Sequence, residues 1–368
     1  MLKKTLLLTS GLLIIFLSST LTRIDRTPYK ALDFYKKSIH EINQLLTKNP
    51  SRSIGDTLLI GFARANLTPS ESAPLAGYGN RRPKEMTSVH DSIYVNTTVI
   101  NNGKNKIAIV SADLLIIPPE VTALLKEKLF NTGWSLPEIF LSATHTHSSL
   151  GGWAPGLVGN MIAGTYNAKY PEFIANQIVA SIQMAEKRLN AGAWSFNELS
   201  IPSLINNRLV GTQGITDPSL KLMALKSGMQ EGVHVFYGAH ATCLSGENKQ
   251  MSRDYPGVFS DWVVNHTPLD FAVYSAGAVA SMGPETGPKQ GFDRAQFMGE
   301  EMAKQVALIQ QFGFPYENQL NLSFFRIPLF LRQPMVKISE NWALRPWIFK
   351  WAFGHSPLEI SMIQLNDL

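Results

Sequence analysis

Two histidines one residue apart close an apolar run. Ile139 to Ala143 leads into Thr144-His145-Thr146-His147-Ser148-Ser149-Leu150-Gly151-Gly152. An apolar run of this length reads as a buried strand, and the Ser/Gly-rich stretch after it reads as a turn. On a strand, side chains at i and i+2 point the same way. If the strand ends at Thr144 that parity is lost, and the pair can splay around one bound atom. Imidazole is the commonest protein ligand for zinc and the usual general base near neutral pH. The same pair also suits a polar turn with two satisfied histidines, so a remote second constellation has to decide.

Val235-Phe236-Tyr237-Gly238-Ala239-His240-Ala241-Thr242 is that second site, again an apolar run ending in a histidine. Shortly after, Ser252-Arg253-Asp254-Tyr255-Pro256-Gly257 precedes Val258, Phe259, Trp262 and Val263 at helical spacing. Ser252 and Asp254 therefore stand just ahead of a helix N-terminus, whose free N–H groups stabilise a developing oxyanion or simply receive a cap. A third cluster is Asn206-Asn207-Arg208, with Asp217-Pro218 close behind. An arginine in such a loop is a solvated charge, a fork to a carboxylate, or a substrate contact. His90-Asp91 reads as a polar pair before a strand and His234 as a core histidine, while Gly283-Pro284-Glu285-Thr286-Gly287 can line a pocket. With Cys243 the single cysteine, an internal disulfide framework and a CxxC metal site are excluded, leaving His, carboxylate or Tyr to hold any metal.

The elements that position these residues follow from pattern. The chain has 368 residues, 45% hydrophobic and 17% charged, which belongs to a folded protein with a substantial core. Its net charge of +5 comes without a dense Lys/Arg run, so nucleic-acid binding is not indicated. Met1-Leu2-Lys3-Lys4 before the apolar Thr5–Leu17 run gives residues 1–22 the form of a signal peptide or signal-anchor, with the remainder exported. Residues 23–53 follow as an amphipathic helix (Leu32, Tyr35, Ile39, Ile42, Leu46) and linker, and 54–368 as the main domain. Strands are expected at Leu58–Ala65, at Ser92–Asn101 and Lys106–Ile117 around an Asn-Asn-Gly turn, and at Leu220–Leu225, Val233–Ala241 and Phe271–Ala276. Helices are expected after Pro118, ending at Gly133, and after Pro171, ending at Gly192, with 151–169 a loop over the site. The class is α/β, a mixed β-sheet core flanked by helices with the active site at strand C-terminal ends. Trp342, Trp347, Trp351 and Phe353, with Arg345 and Lys350, form a candidate interfacial aromatic patch or a cover over the core.

The ordered set Ser142 to Ser148, Asn206-Asn207-Arg208, Gly238 to Thr242 and Ser252 to Gly257 resembles the neutral/alkaline ceramidase family. Gly61 to Pro69, Gly77-Tyr78-Gly79 and Val110-Ser111-Ala112-Asp113 are similar to that family's opening segments, and the resemblance runs from about Leu58 to about Gly287. It implies a zinc amidase that cleaves the N-acyl bond of ceramide or a related N-acyl lipid, giving a fatty acid and a sphingoid base; the N-terminal segment adds the expectation that it is tethered to a membrane. By position it implies His145 and His240 as zinc ligands and His147 beside them as a proton carrier. Ser252 matches the catalytic serine and Arg208 the basic residue near the substrate amide, with Asp254 and Gly257 toward the oxyanion. This sequence departs from the family at Asn66-Leu67-Thr68, where Asp-x-Thr is usual, and at Asp254-Tyr255, where Asp-Asn is usual. The family also completes its zinc site with a Glu and a Tyr further downstream. Ser361 to Leu368 reads as the strand just ahead of that Glu, so a C-terminally shortened domain is expected, with Glu247, Asp113 or Asp254 as acidic substitutes. A catalytically inactive lipid- or partner-binding relative and a metal-dependent esterase or phosphatase are the competing readings.

Overall fold

The computed structural model describes residues 11, 15–48, 53–55, 57–82, 84–353 and 358–366. The signal segment expected over 1–22 lies largely outside them. No helix among the described residues is long and apolar enough to cross a membrane. The chain forms two compact units. One takes the described residues of 1–50, 156–158 and 326–360; the other takes those of 51–155, 159–325 and 361–368.

In the first unit the expected amphipathic helix spans Asp33–Lys48. Residues 15–20 are helical, and Leu21–Arg23 then pairs antiparallel with Trp342–Leu344. A short helix, Pro346–Phe353, follows that second strand.

The second unit is built on one eight-stranded sheet. Its strands are β1 (Leu59–Asn66), β2 (Tyr94–Asn101), β3 (Lys106–Ala112), β4 (Ile139–Ala143), β5 (Asn190–Ser200), β6 (Ser219–Ser227), β7 (Gln230–Tyr237) and β8 (Phe271–Ala276). Their spatial order is β8-β7-β6-β5-β1-β2-β3-β4. Helices α1 (Pro119–Lys128), α2 (Lys169–Lys187), α3 (Tyr255–His266) and α4 (Gly291–Phe312) flank it. The sheet is mixed: β3/β4 and β7/β8 are parallel and the other neighbours antiparallel. Parallel neighbours need a long crossover, which α1 supplies between β3 and β4 and α3 between β7 and β8. The early hairpin forms as the Asn-Asn-Gly signal suggests, with Asn101 opposite Lys106 and Gly103 at φ 86°.

Side-chain alternation shows that this sheet folds back on itself. Ala63, Ala65, Val95, Ala108 and Val110 bury one face of the β1–β4 half against α1 and α2. Leu222, Ala224, Val233, Val235 and Tyr274 bury one face of the β6–β8 half against α3 and α4. The intervening residues, Ile60, Phe62, Ile107, Ile109, Met223, Leu225 and Val273, meet in a third core between the halves. Phe62 stacks on Phe271 at 5.0 Å there. Ser142 Oγ lies 2.7 Å from Ser275 Oγ, and Ser111 Oγ donates to Tyr274 O at 2.6 Å. Layers run helix, sheet, sheet, helix, which is why several strands read as apolar on both faces. The fold-over also brings the C-terminal ends of β4 and β8 to one rim.

Three local readings change. Residues 151–169 carry a short helix, Gly156–Ala163, where a loop was expected. The α2 helix stops at Lys187, short of the expected Gly192, because β5 begins at Asn190 and takes Ala191 into a pairing with Leu59. The β7 strand ends at Tyr237, so His240 lies beyond it in irregular backbone. There Tyr274 donates to Tyr237 O at 2.9 Å, and Tyr255 donates to Ala239 O.

Candidate metal centre

Beyond Ala143 the chain leaves the extended conformation at once, with His145 at φ 62° in the left-handed region that non-glycine residues seldom adopt. Strand parity is lost and the two imidazoles splay to 83°, centroids 5.1 Å apart. The His240 ring sits between them. Its Nε2 lies 3.0 Å from His145 Nε2 and 2.8 Å from His147 Nε2.

The outer nitrogens set the chemistry of that approach. His145 Nδ1 faces Leu115 O at 2.6 Å and His240 Nδ1 faces Val279 O at 3.1 Å. A carbonyl only accepts, so both Nδ1 atoms carry the proton and each neutral ring presents a bare Nε2. Two lone pairs 3.0 Å apart repel unless a cation lies between them. Burial holds all three rings neutral at pH 7. It depresses His147 to about 3, with repulsion from the other two imidazoles adding, and His240 to about 4; His145 is lowered as well. Neutral, converging imidazoles, two of them oriented by backbone carbonyls, are a donor set that suits a zinc ion. Among the described residues, the group able to share one ion is His145, His147 and His240, with no carboxylate in it.

The scaffold of the three rings comes from four segments. Gly77, at φ 121°, lets the chain pass so close that a Cβ there would meet His147 Cα at 2.6 Å. Tyr78 lays its ring 4.9 Å from that of His147 and donates its hydroxyl to Leu244 O at 2.6 Å. Arg81 is 1% exposed and, among the described residues, has no carboxylate partner. Its guanidinium donates to His147 O at 2.8 Å and to Ala76 O at 3.1 Å, and burial lowers its pKa to about 10. Tyr78 lies inside a motif visible in the sequence. Arg81 was not singled out, since nothing local marks which of several arginines turns inward.

Ser252 is buried and zipped onto the histidine loop: its N–H donates to Ser148 O at 2.8 Å, and Thr146 Oγ1 donates to its carbonyl at 2.9 Å. Its Oγ accepts from Asp254 N at 3.0 Å. Asp254 caps α3 from a left-handed φ of 58°, and its carboxylate accepts from the N–H groups of Leu244, Cys243 and Tyr255. Burial raises its pKa. At Gly257 a Cβ would meet Arg253 Cβ at 2.5 Å, so this glycine makes room for an arginine that bridges Asp91 and Asp261. Arg208 is exposed and fixed by its Nε–H to Ala280 O at 2.9 Å and its N–H to Ser281 O. The same 279–282 segment receives His240 N–H and Nδ1–H, so one loop sets Arg208 beside His240. The Arg208 charge helps depress all three histidines. Of the acidic candidates, Glu247 is exposed. Asp113 is buried beside Tyr94 N, its pKa raised by burial to about 6.

Fold and site together define an α/β protein with a three-histidine centre at the strand ends of a folded mixed sheet. The chain belongs to the neutral/alkaline non-lysosomal ceramidase family, whose N-terminal domain matches residues 58–281. It is similar to the neutral ceramidase of Pseudomonas aeruginosa, 25% identical over 230 residues that cover 57% of this chain and 34% of that protein. The crystal structure of neutral ceramidase from Pseudomonas aeruginosa superposes with a TM-score of 0.64 at 20% identity, covering 76% of this chain and 49% of that one. A ceramidase complexed with C2 gives 0.64 at 18% identity, over 76% and 48%. The chain thus spans about a third of the curated relative and about half of the solved chains.

Proposed function

We propose that this chain hydrolyses the N-acyl amide bond of ceramide or a related N-acyl lipid, releasing a fatty acid and a sphingoid base, with zinc at the histidine centre. The observation that carries this reading is the convergence of three neutral imidazole Nε2 atoms, two of them oriented by backbone carbonyls. His145 and His240 hold the metal. Bound there, zinc supplies Lewis acidity toward the amide carbonyl and toward water. Leu115 O and Val279 O fix the ligand tautomers, as outer partners of metal-bound histidines do. His147 is neutral and stands beside both ligands, placed to take a proton from the attacking water and pass it to the leaving amine. Arg208 faces the charge that develops on the substrate oxygen. Ser252 Oγ accepts from Asp254 N and, among the described residues, donates to no protein group, which leaves its proton for the substrate; Asp254 and Gly257 shape the turn that presents it.

Metal analysis of purified protein tests the centre. About one zinc per chain is expected, lost in His145→Ala and His240→Ala. Zinc content indifferent to both substitutions would sink the reading. Product analysis on matched amide, ester and phosphate substrates separates amide hydrolysis from esterase or phosphatase chemistry. A second reading, a non-catalytic lipid-binding relative, is favoured by the make-up of the histidine group, which holds no carboxylate among the described residues. Turnover of a fluorescent N-acyl sphingoid by the wild type, absent in His240→Ala, eliminates it. The proposal includes export, since Lys3 and Lys4 precede the apolar Thr5–Leu17 run.

A further inference from the structure

The first unit carries a surface that the histidine centre does not use. Trp342, Trp347 and Trp351 are exposed by 43%, 54% and 72%. Large side chains of this kind are normally half hidden or paired. They belong to one piece of structure with the end of the apolar N-terminal stretch. Trp347 Nε1 donates to Ser19 O at 3.0 Å, and Arg345 Nε donates to Ser18 O and Leu21 O, each at 3.1 Å. Arg23 lies over the Trp342 ring at 5.7 Å. Just before Ser18, Ile15, Phe16 and Leu17 are exposed by 64%, 61% and 42%.

Charge points to the occupant. Residues 15–48 and 326–353 contain eleven Lys and Arg against four Asp and Glu, so they carry +7 in a chain whose net charge is +5. The basic character of the protein therefore resides in the unit that exposes the tryptophans. Indoles and basic side chains around a short apolar element are what settles at the headgroup level of a bilayer, and each nearby Lys or Arg adds attraction to anionic lipid. Such an element engages a bilayer from its surface, with the indoles at headgroup level.

We propose that Trp342, Trp347 and Trp351, with Arg23, Arg345 and Lys350, form a docking platform for an anionic membrane leaflet. This deepens the N-acyl-lipid reading, because such a substrate is met in a bilayer. The test measures binding to vesicles free of any N-acyl sphingoid, so its failure is distinguishable from failure of hydrolysis. Full-length chain is mixed with phosphatidylcholine vesicles, and with vesicles in which about a third of the lipid is phosphatidylglycerol. Binding is read by flotation, and depth by quenching of tryptophan fluorescence with brominated acyl chains. Binding at least tenfold tighter to the anionic vesicles is expected. Lys350→Glu should weaken it about fivefold, and Trp351→Ala should remove part of the quenching while circular dichroism stays unchanged. Equal binding to both vesicles with neither variant affected would place attachment in the N-terminal apolar run alone and overturn the platform. So would stronger binding to single-stranded RNA than to anionic vesicles, or quenching identical in Trp351→Ala and wild type.

Discussion

Arg81 is the residue whose placement says most about how the centre is held. A buried guanidinium with no carboxylate beside it is costly, and burial accordingly lowers its pKa to about 10. Two carbonyls, those of Ala76 and His147, take its N–H groups, so it ties the glycine-rich segment to the histidine loop. Arg81→Met should leave both carbonyls without that donor and destabilise the fold by about 2–3 kcal/mol. It should also weaken zinc binding about tenfold or more, by loosening the histidine loop that carries His145. Arg81→Lys retains the charge but presents a single point rather than a fork, and an intermediate loss is expected. Competition with a zinc-chelating dye, alongside urea unfolding, reads both effects. A stability loss with unchanged zinc affinity would show that Arg81 supports the fold and not the centre. His145, His147 and His240 were legible in the sequence because each closes or follows an apolar run. Arg81 was not, because its partners are set by tertiary approach and not by spacing.

At the scale of elements, the site depends on strands that stop early. The β4 strand ends at Ala143 and β7 at Tyr237, and in both cases the histidines fall in the irregular backbone beyond. Room for that backbone is made by Gly77, whose φ of 121° is disfavoured for any other residue. Gly77→Ala should push its methyl group against His147 and cost about 1–3 kcal/mol. Because the displaced group is His147 and not His145, zinc content should persist while turnover falls. Loss of zinc and turnover together would assign His147 to the ligands instead. Paired differential scanning calorimetry and metal analysis decide between these outcomes. Most elements were readable from periodicity and turn residues: the early hairpin, α1, α2 and the apolar strands all form close to their expected positions. The β5 strand was not, since Asn190 to Ser200 is mostly small or polar and only Trp194 and Ser195 are buried. Its partners are distant in sequence, and a local pattern holds no trace of them. Yet β5 is the strand that joins the two halves of the sheet, through β1 on one side and β6 on the other.

At the scale of the whole second unit, that folded sheet has a polar seam in its middle core, and the seam makes a pH-dependent prediction. His234, 1% exposed, bonds Ser275 Oγ through Nε2 at 2.7 Å, and Ser275 in turn meets Ser142 across the halves. Ser142 Oγ donates to Val110 O, so the protons run in one direction and His234 donates at Nε2, with Nδ1 unpartnered. Burial depresses the imidazole from 6.5 to about 3. The unfolded chain therefore binds a proton first as pH falls. The stability contributed by neutral His234 is complete above 6.5 and is lost progressively toward about 3. Asp113 acts in the opposite sense. Its pKa is raised by burial from 3.8 to about 6, so its contribution is complete below 3.8 and falls as pH rises to about 6. The two offset each other where their windows overlap, and the wild-type profile alone does not separate them. Comparison with His234→Leu does, because Asp113 and the metal-centre histidines are common to both proteins. The wild type should gain stability over His234→Leu by up to about 1.4 kcal/mol per pH unit as pH rises through about 5 to 6.5, then run parallel to it. Urea unfolding of both proteins at a series of pH values measures that difference. A difference independent of pH would mean that His234 is not a buried neutral group, and that the seam between the sheet halves admits water.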